Sequence, residues 1–183
     1  MIIGISGYAR SGKDTVASFL VEEHGFKRLA FADPIKEFTL KINPIIEGQL
    51  RLQDVVQMYG WEVAKSKEEV RRLLQETGMA ARIMFGEDFW VEQAFAGADP
   101  SEDYVISDVR FPNEADYIRD LAGAVWRINR WGVAPINKHA SEVAMDMYPF
   151  DYVIDNDGPL SKLQFMAKKG INSYLYNGAN VNR

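Results

Sequence analysis

The sequence predicts an α/β fold built on a mainly parallel sheet. Short apolar runs alternate with helical patterns, the order that strand–helix–strand units write into a chain. The first run, residues 1–6, passes directly into a glycine-rich loop and then into a helix. With 183 residues, 47% of them hydrophobic and 26% charged, the chain has ordinary globular composition and enough length for a sizeable core.

Taken in order, the helix after the loop is expected to run to His24, with Gly25 as its stop. Residues 26–31 read as a second strand. Asp33-Pro34 reads as a helix start, Asp as N-cap and Pro at the first helical position, and Asn43-Pro44 ends that helix. A looser stretch, 45–65, is expected to hold a short helix over 52–59 before Gly60-Trp61. Ser66 with Glu69 three places on is a capping box. It opens the most periodic helix of the chain, in which Val70, Leu73, Leu74, Thr77, Ala81 and Met84 share one arc. Gly78 marks an expected break or bend in it. Gly86-Glu87-Asp88 starts a further helix through Phe89, Trp90 and Phe95. Residues 104–107 form a third strand ending on Asp108, 112–121 a helix stopped by Gly123, 124–128 a fourth strand and 152–154 a fifth. A last amphipathic helix carries Leu160, Leu163, Ala167 and Ile171, and the Asn- and Gly-rich end, 177–183, is expected to fray. In such a sheet ligands sit at the carboxyl ends of the strands. This gathers the loop, Asp108, Arg130 and Asp155 on one rim.

Composition narrows the function. A net charge of −5 offers no general basic field for nucleic acid, and the absence of cysteine excludes disulfides and thiolate metal sites. The opening apolar run is too short for a signal peptide or a membrane span. A cytoplasmic protein with no membrane partner is expected.

The loop carries the chemistry. Gly7-Tyr8-Ala9-Arg10-Ser11-Gly12-Lys13 is G-x-x-x-x-G-K between strand and helix, the phosphate-binding arrangement. Its glycines let consecutive N–H groups converge on one anion beside a helix N-terminus, and Lys13 reaches the outer phosphates as a point charge. The residue after the lysine should bear a hydroxyl for magnesium, yet it is Asp14, with Thr15 one place late. Either the Asp14 carboxylate meets the metal, directly or through water, or Thr15 contacts a phosphate and the metal is held elsewhere. Asp108, at a strand end, is a second candidate magnesium ligand, or else a turn acid. Arg110, Arg127 and Arg130 are candidate clamps for charge developing in phosphoryl transfer. Arg130 opens a lid-like loop, and Arg127 is equally well a solvated salt-bridge partner. The stripe Arg71, Arg72, Gln75, Arg82 carries no acid of its own until Glu76 and suits a monophosphate and a base edge; a solvent face is its plain alternative. His139-Ala140-Ser141-Glu142 reads as a helix cap, since a lone histidine is a poor metal site. Trp61, Trp90 and Trp131 are stacking candidates, though isolated tryptophans more often pack.

The combined motifs resemble a known family. They are the loop with Asp14-Thr15, Phe31-Ala32-Asp33-Pro34-Ile35-Lys36, Arg72-Leu73-Leu74-Gln75-x2-Gly78 and Gly86-Glu87-Asp88-Phe89-Trp90-Val91. With them go residues 107–115 (SDVRFPNEA), His139-Ala140-Ser141-Glu142 and Asp155-Asn156-Asp157-Gly158. Together, from residue 1 to about 165, they resemble the deoxynucleoside monophosphate kinases of tailed bacteriophages, in which Asp after the loop lysine is usual. The resemblance implies a P-loop NTPase fold, a five-stranded parallel sheet flanked by helices, as one domain over 1–183. A substrate-binding insertion at about 33–97 and a lid at about 129–142 would complete it. It implies transfer of the ATP γ-phosphoryl group to a deoxynucleoside monophosphate, with Mg2+, in the host cytoplasm if phage-encoded. Lys13 and the loop from Gly7 through Ala9, Arg10, Ser11 and Gly12 to Asp14 and Thr15 would hold ATP, with Asn156 and Gly158 beside the adenine. Asp33, Lys36, Arg72, Gln75 and Arg82 would line the monophosphate site, with Trp61 and Glu142 as further substrate contacts. Asp108 and Arg110 would lie between the nucleotides, and Arg130 would act from the lid. The rival readings are a kinase of another phosphorylated metabolite, of phosphomevalonate or dephospho-coenzyme A type, and an ATP-hydrolysing binding module. Whether the chain works as a monomer or a homodimer stays open.

Overall fold

The computed structural model describes residues 1–135 and 139–181, with side chains through residue 175. Two compact units emerge, one of residues 1–30 with 98–183 and one of 31–97.

The first unit is built on a five-stranded sheet in the order β2-β5-β1-β6-β7. Its strands are β1 (Ile2–Ser6), β2 (Lys27–Leu29), β5 (Tyr104–Ile106), β6 (Ala124–Asn129) and β7 (Tyr152–Asp155). Every neighbouring pair is parallel, as the alternating elements predict. β2 is shorter than the expected 26–31: Phe26 and Ala30 are buried outside the ladder.

Alternation along β1 assigns the two faces. Ile3 and Ile5 are fully buried and join Val16 and Leu20 of α1 (Lys13–His24) and Leu163, Ala167 and Ile171 of α8 (Leu160–Val181) in one core. Gly4 faces the other way: a Cβ there would stand 2.6 Å from Ile118 of α6 (Pro112–Asp120), so the helix packs directly onto bare backbone. Gly25 caps α1 at φ 73°, as expected. The stop of α6 is different: Ala122, not Gly123, takes the left-handed turn at φ 56°. Gly123 serves close approach instead, because a Cβ there would lie 2.8 Å from the Ile2 carbonyl oxygen. α8 is helical through Val181, past the point where fraying was expected; residues 182 and 183 lie outside the described ones. Leu160, assigned to its apolar face, is 56% exposed because it sits in the first turn, before the helix meets the sheet.

The second unit holds α2 (Ala32–Ile42), a hairpin of β3 (Ile45–Glu47) and β4 (Leu50–Arg51), α3 (Leu52–Ala64), α4 (Glu68–Phe85) and α5 (Phe89–Phe95). Leu52, Val55, Ala64 and Val70 form its fully buried core, with Trp61, Leu73 and Leu74 against them. The hairpin replaces the expected loose stretch; its strands of three and two residues are too short to show a period. α3 runs past the expected end at Tyr59 to Ala64, across a kink at Gly60 (φ 71°). Asp33 is not the N-cap of α2, which starts at Ala32 after Phe31. Its carboxylate accepts from Lys36 Nζ at 2.6 Å instead. Pro34 is tolerated in that first turn because amides there have no intrahelical acceptor. Ser66 likewise does not cap α4: Lys67 holds that position, and the Ser66 hydroxyl donates back to the Val63 carbonyl at 2.6 Å, closing α3. α4 does not break at Gly78, which lets Ile35 approach and whose carbonyl accepts from Trp90 Nε1 at 3.0 Å. Met84, assigned to the buried arc, is 73% exposed in the last turn.

Candidate active site

β1 delivers the glycine-rich loop to the carboxyl rim of the sheet. Gly7 has φ 146° and Gly12 φ 109°, and neither has room for a side chain. A Cβ on Gly7 would meet the Ile128 carbonyl oxygen at 2.4 Å, and one on Gly12 the Asn156 amide nitrogen at 2.6 Å. Arg10 also turns left-handed, at φ 67°, without being glycine. The Ser11 amide donates to the Tyr8 carbonyl at 3.1 Å, and the first bond of α1 runs from the Val16 amide to the Gly12 carbonyl at 3.1 Å. The preceding amides therefore have no acceptor within the helix and open onto the loop, the arrangement that takes an anion. Ser11 Oγ is buried with no hydrogen-bond partner. A buried hydroxyl without a partner is costly, and a phosphate oxygen in the loop is the kind of acceptor that would relieve it.

Lys13 Nζ donates to the Tyr8 carbonyl at 2.8 Å. Burial, and then the Arg110 guanidinium, lower its pKa from 10.5 to about 8, while Asp14, Glu142 and Asp108 pull the other way. The ammonium is thus short of solvation and suited to an incoming anion. Beside it opens a cleft lined by Ser6, Gly7, Lys13, Asp108, Arg110, Arg127 and Glu142 among others. Arg110 Nη1 donates to Glu142 Oε1 at 2.9 Å and to the Ser141 carbonyl at 3.2 Å. Its own amide donates to Glu114 Oε2 at 2.6 Å, and that buried carboxylate also caps α6 through the Phe111 amide. The turn carrying Asp108 and Arg110 is therefore anchored from below.

Two carboxylates stand at this end of the sheet. Asp14 Oδ1 accepts from Ser107 Oγ at 2.9 Å, which orients the residue occupying the usual hydroxyl position, and Asp108 follows one residue on. Among the described residues no three acidic or histidine side chains cluster as a full metal cage. Asp14 and Asp108 both act electrostatically on Lys13, and a pair of carboxylates is a donor set that suits magnesium, which keeps several waters.

The remaining rim positions also converge. The Asn156 amide nitrogen donates to the Ser11 carbonyl at 2.8 Å, and the Asn156 backbone amide to the Asn129 carbonyl at 2.7 Å. Asp155 takes the Asn129 side chain at 3.2 Å. Arg130 Nη1 reaches the Arg10 carbonyl at 3.4 Å. A Cβ on Gly158 would press on Lys162 at 2.9 Å. His139 caps α7 (Ala140–Val143) through Nδ1, which takes the Ser141 amide at 3.2 Å, as its cap reading predicts. Residues 136–138 of the expected lid lie outside the described ones. Arg127 is ion-paired with Asp146 at 3.1 Å, but its side chain is only 11% exposed, so it is not the solvated partner weighed above.

In the second unit, Asp33 and Lys36 pair, and Lys36 Nζ stands 6.0 Å from the Trp61 ring centre. Arg72 is not short of acids: it makes a fork with Glu69 at 2.8 and 2.6 Å and bonds Glu76 at 2.6 Å. The sequence reading gave Glu69 to a capping box and not to Arg72, three residues on along the same face. Gln75 is half-buried one turn on, and Arg82 Nη1 donates to the Glu87 carbonyl at 2.8 Å. Trp90 is buried core and Trp131 is 95% exposed.

Sequence reasoning quoted Tyr8, Ser107 and Ser141 within motifs without giving them a role, and it missed Met145 and Asp146. Ser107 was legible as the residue between a strand end and Asp108. Met145 and Asp146 bear on the site only through folding of a distant segment and left no local signal.

The model of the deoxynucleotide monophosphate kinase family matches residues 1–58 and 48–166. A relative from Acanthamoeba polyphaga mimivirus, provisionally named a deoxynucleotide monophosphate kinase, is 31% identical over 180 residues, covering 86% of this chain and 89% of its own. The deoxynucleotide monophosphate kinase of Escherichia phage RB69 is 29% identical over 107 residues, 55% of this chain and 43% of its own. Among solved structures, the shikimate kinase of Aquifex aeolicus superposes with a TM-score of 0.50 at 13% identity, covering 98% of both chains. A gluconokinase from Sinorhizobium meliloti gives 0.50 at 15%, covering 99% and 97%. At such identities these two speak for the fold alone, a P-loop kinase fold.

Proposed function

The chain belongs to the deoxynucleotide monophosphate kinase family, and we propose that its first unit holds ATP while its second supplies the residues that recognise the deoxynucleotide. The reaction is a phosphoryl transfer from ATP to a deoxynucleoside monophosphate. The observation that carries the donor assignment is the loop itself, with glycines that admit no Cβ, a buried hydroxyl lacking a partner and a desolvated lysine at its mouth.

In this reading the loop amides from Gly7 to Thr15 and Lys13 hold the β- and γ-phosphates, and Asn156 with Gly158 flanks the adenine. Asp14 and Asp108 would hold magnesium, which when bound neutralises charge between the outer phosphates. Arg110, steered by Glu142, meets charge on the phosphoryl group, and Arg130 adds to it from the lid. Lys36 and Arg72 carry the acceptor phosphate, with Asp33, Trp61, Gln75, Arg82 and Glu142 shaping its surroundings. Arg72 would trade part of its bonding to Glu69 and Glu76 for phosphate oxygens, a geometry its planar fork suits. No general base is required, because the acceptor is already an anion; alignment and charge stabilisation lower the barrier. Because the named relatives are viral, this reading sets the reaction in the cytoplasm of a host cell. Among the described residues no helix is long and apolar enough to cross a membrane.

The test is ADP release measured against a panel of dNMPs, NMPs, phosphomevalonate and dephospho-coenzyme A. Release that depends on a dNMP is expected. Release with ATP alone, or only with one of the metabolites, would overturn the assignment.

A further inference from the structure

Arg127 lines the cleft, yet the mechanism above gives it no task. It lies on β6, alternating with buried Trp126 and Ile128, so its side chain leaves the opposite face of the sheet. Its Nη2 bonds Asp146 Oδ1 at 3.1 Å and its Nε the Asn129 side-chain oxygen at 3.3 Å. Its guanidinium carbon stands 4.8 Å from the Tyr8 ring centre and 5.5 Å from that of Phe150. Burial, and then hydrogen bonding to Asp146, hold the pKa of the Tyr8 hydroxyl above its ordinary value. The segment bearing Asp146 and Phe150 is itself fastened: Tyr148 donates to Asp116 at 2.7 Å, and Arg119 makes a fork with Asp151 at 3.2 and 2.9 Å.

With its charge met by Asp146 and its plane against aromatic rings, Arg127 is poorly placed to leave for a phosphate. It is well placed to hold Tyr8. That residue sits inside the phosphate loop, and its carbonyl accepts both Lys13 Nζ and the Ser11 amide. We propose that Arg127 is a positioning residue that seats the Tyr8 ring and so fixes the main chain from which Lys13 and the loop amides meet the donor phosphates. The inference rests on the reading of this loop as the ATP site. Its physical content is preorganisation: a glycine-rich loop held in one conformation before binding loses less freedom when the phosphates arrive.

A double-mutant cycle tests it, using Arg127→Met, Tyr8→Ala and their combination in the full chain. The readouts are kcat, the KM values for ATP and dNMP, and ATP binding by calorimetry without acceptor. Each single change is expected to raise the KM for ATP about three- to tenfold, with kcat and the dNMP KM within about twofold, because loop order affects ground and transition states alike. The double variant should be no worse than the worse single one, since both break the same link. Multiplying effects, a fall in kcat at unchanged ATP KM, or no change in either single variant would overturn the proposal. Arg127→Lys guards against a variant that fails to fold: it keeps the charge and loses the plane, so it should match Arg127→Met, and wild-type behaviour would count against us. If the panel shows no dNMP activity but calorimetry still obeys the cycle, the inference stands and the acceptor assignment falls. Failure of the wild-type chain to bind ATP would remove both.

Discussion

Ser107 Oγ donates to Asp14 Oδ1 at 2.9 Å, joining the end of β5 to the residue that follows the loop lysine across 93 positions of sequence. Asp14 stands where the general motif carries a magnesium-binding hydroxyl, and Ser107 brings a hydroxyl back to that neighbourhood from another strand.

This pairing predicts how the metal requirement responds to mutation. Asp14→Asn and Asp108→Asn should each raise the magnesium concentration for half-maximal rate, roughly tenfold or more if the carboxylate ligates the ion directly. Ser107→Ala should raise it only a few-fold, because it frees the Asp14 carboxylate without removing it. Magnesium titrations at saturating ATP separate the three, and an unchanged requirement in Asp14→Asn would take that residue out of metal binding.

Lys13 makes activity depend on pH. Its pKa is lowered to about 8, by burial first and Arg110 second. The free enzyme should therefore lose kcat/KM for ATP about tenfold per pH unit above that value, with kcat holding to higher pH because bound phosphates favour the ammonium. Lys13→Arg should abolish this limb. Stability follows the opposite sign. The folded state resists the charged form, so the penalty is fully present below about pH 8 and lifts as pH rises toward the ordinary 10.5. Lys13→Met should accordingly be more stable than wild type at pH 7 in urea, by a margin that narrows above pH 8.

Gly12 tests the loop's geometry. Alanine there would adopt φ 109° and put its Cβ 2.6 Å from the Asn156 amide nitrogen. Strain of about 1–3 kcal/mol is expected, with ATP binding lost more completely than stability. Asn156→Ala should relieve the clash without relieving the dihedral, so the double variant regains only part of the affinity. Calorimetry with ATP and a thermal melt measure the two effects.

Gly170 sets two rules against each other. Replacing a glycine inside a helix by alanine ordinarily gains about 1 kcal/mol. Here the new Cβ would stand 2.8 Å from the Trp126 ring and 2.9 Å from that of Tyr152. Overpacking a filled core costs about 1–3 kcal/mol, so Gly170→Ala should lower Tm by a few degrees. A rise in Tm would show that the α8–sheet contact yields.

Much of this was legible beforehand, for identifiable reasons. The central strands β1 and β5 showed because both faces of the sheet are covered there, and such strands appear as apolar runs bounded by turn residues; β2, Lys27–Leu29, is largely exposed and its bounds were read too wide. The loop showed because its spacing is written in consecutive residues. The β3–β4 hairpin did not, since its strands are too short to carry a pattern. Ser66 misled because a capping-box spelling is indifferent to whether the hydroxyl closes the helix behind it or opens the one ahead. Arg72 misled in another way: the reading assigned Glu69 to the helix start, so the arginine three residues on was left without that partner.

The sequence alone determined most of the sheet, the glycine-rich loop and the family, because each is encoded in local spacing and residue type. Tertiary structure decided what meets what: Ser107 on Asp14, Asn156 on Ser11, Arg127 beneath Tyr8. Those pairs are separated by 93, 145 and 119 positions respectively. No local rule relates residues so far apart. Only the order of strands in the sheet, which brings the ends of β1, β5, β6 and β7 to one rim, makes them neighbours.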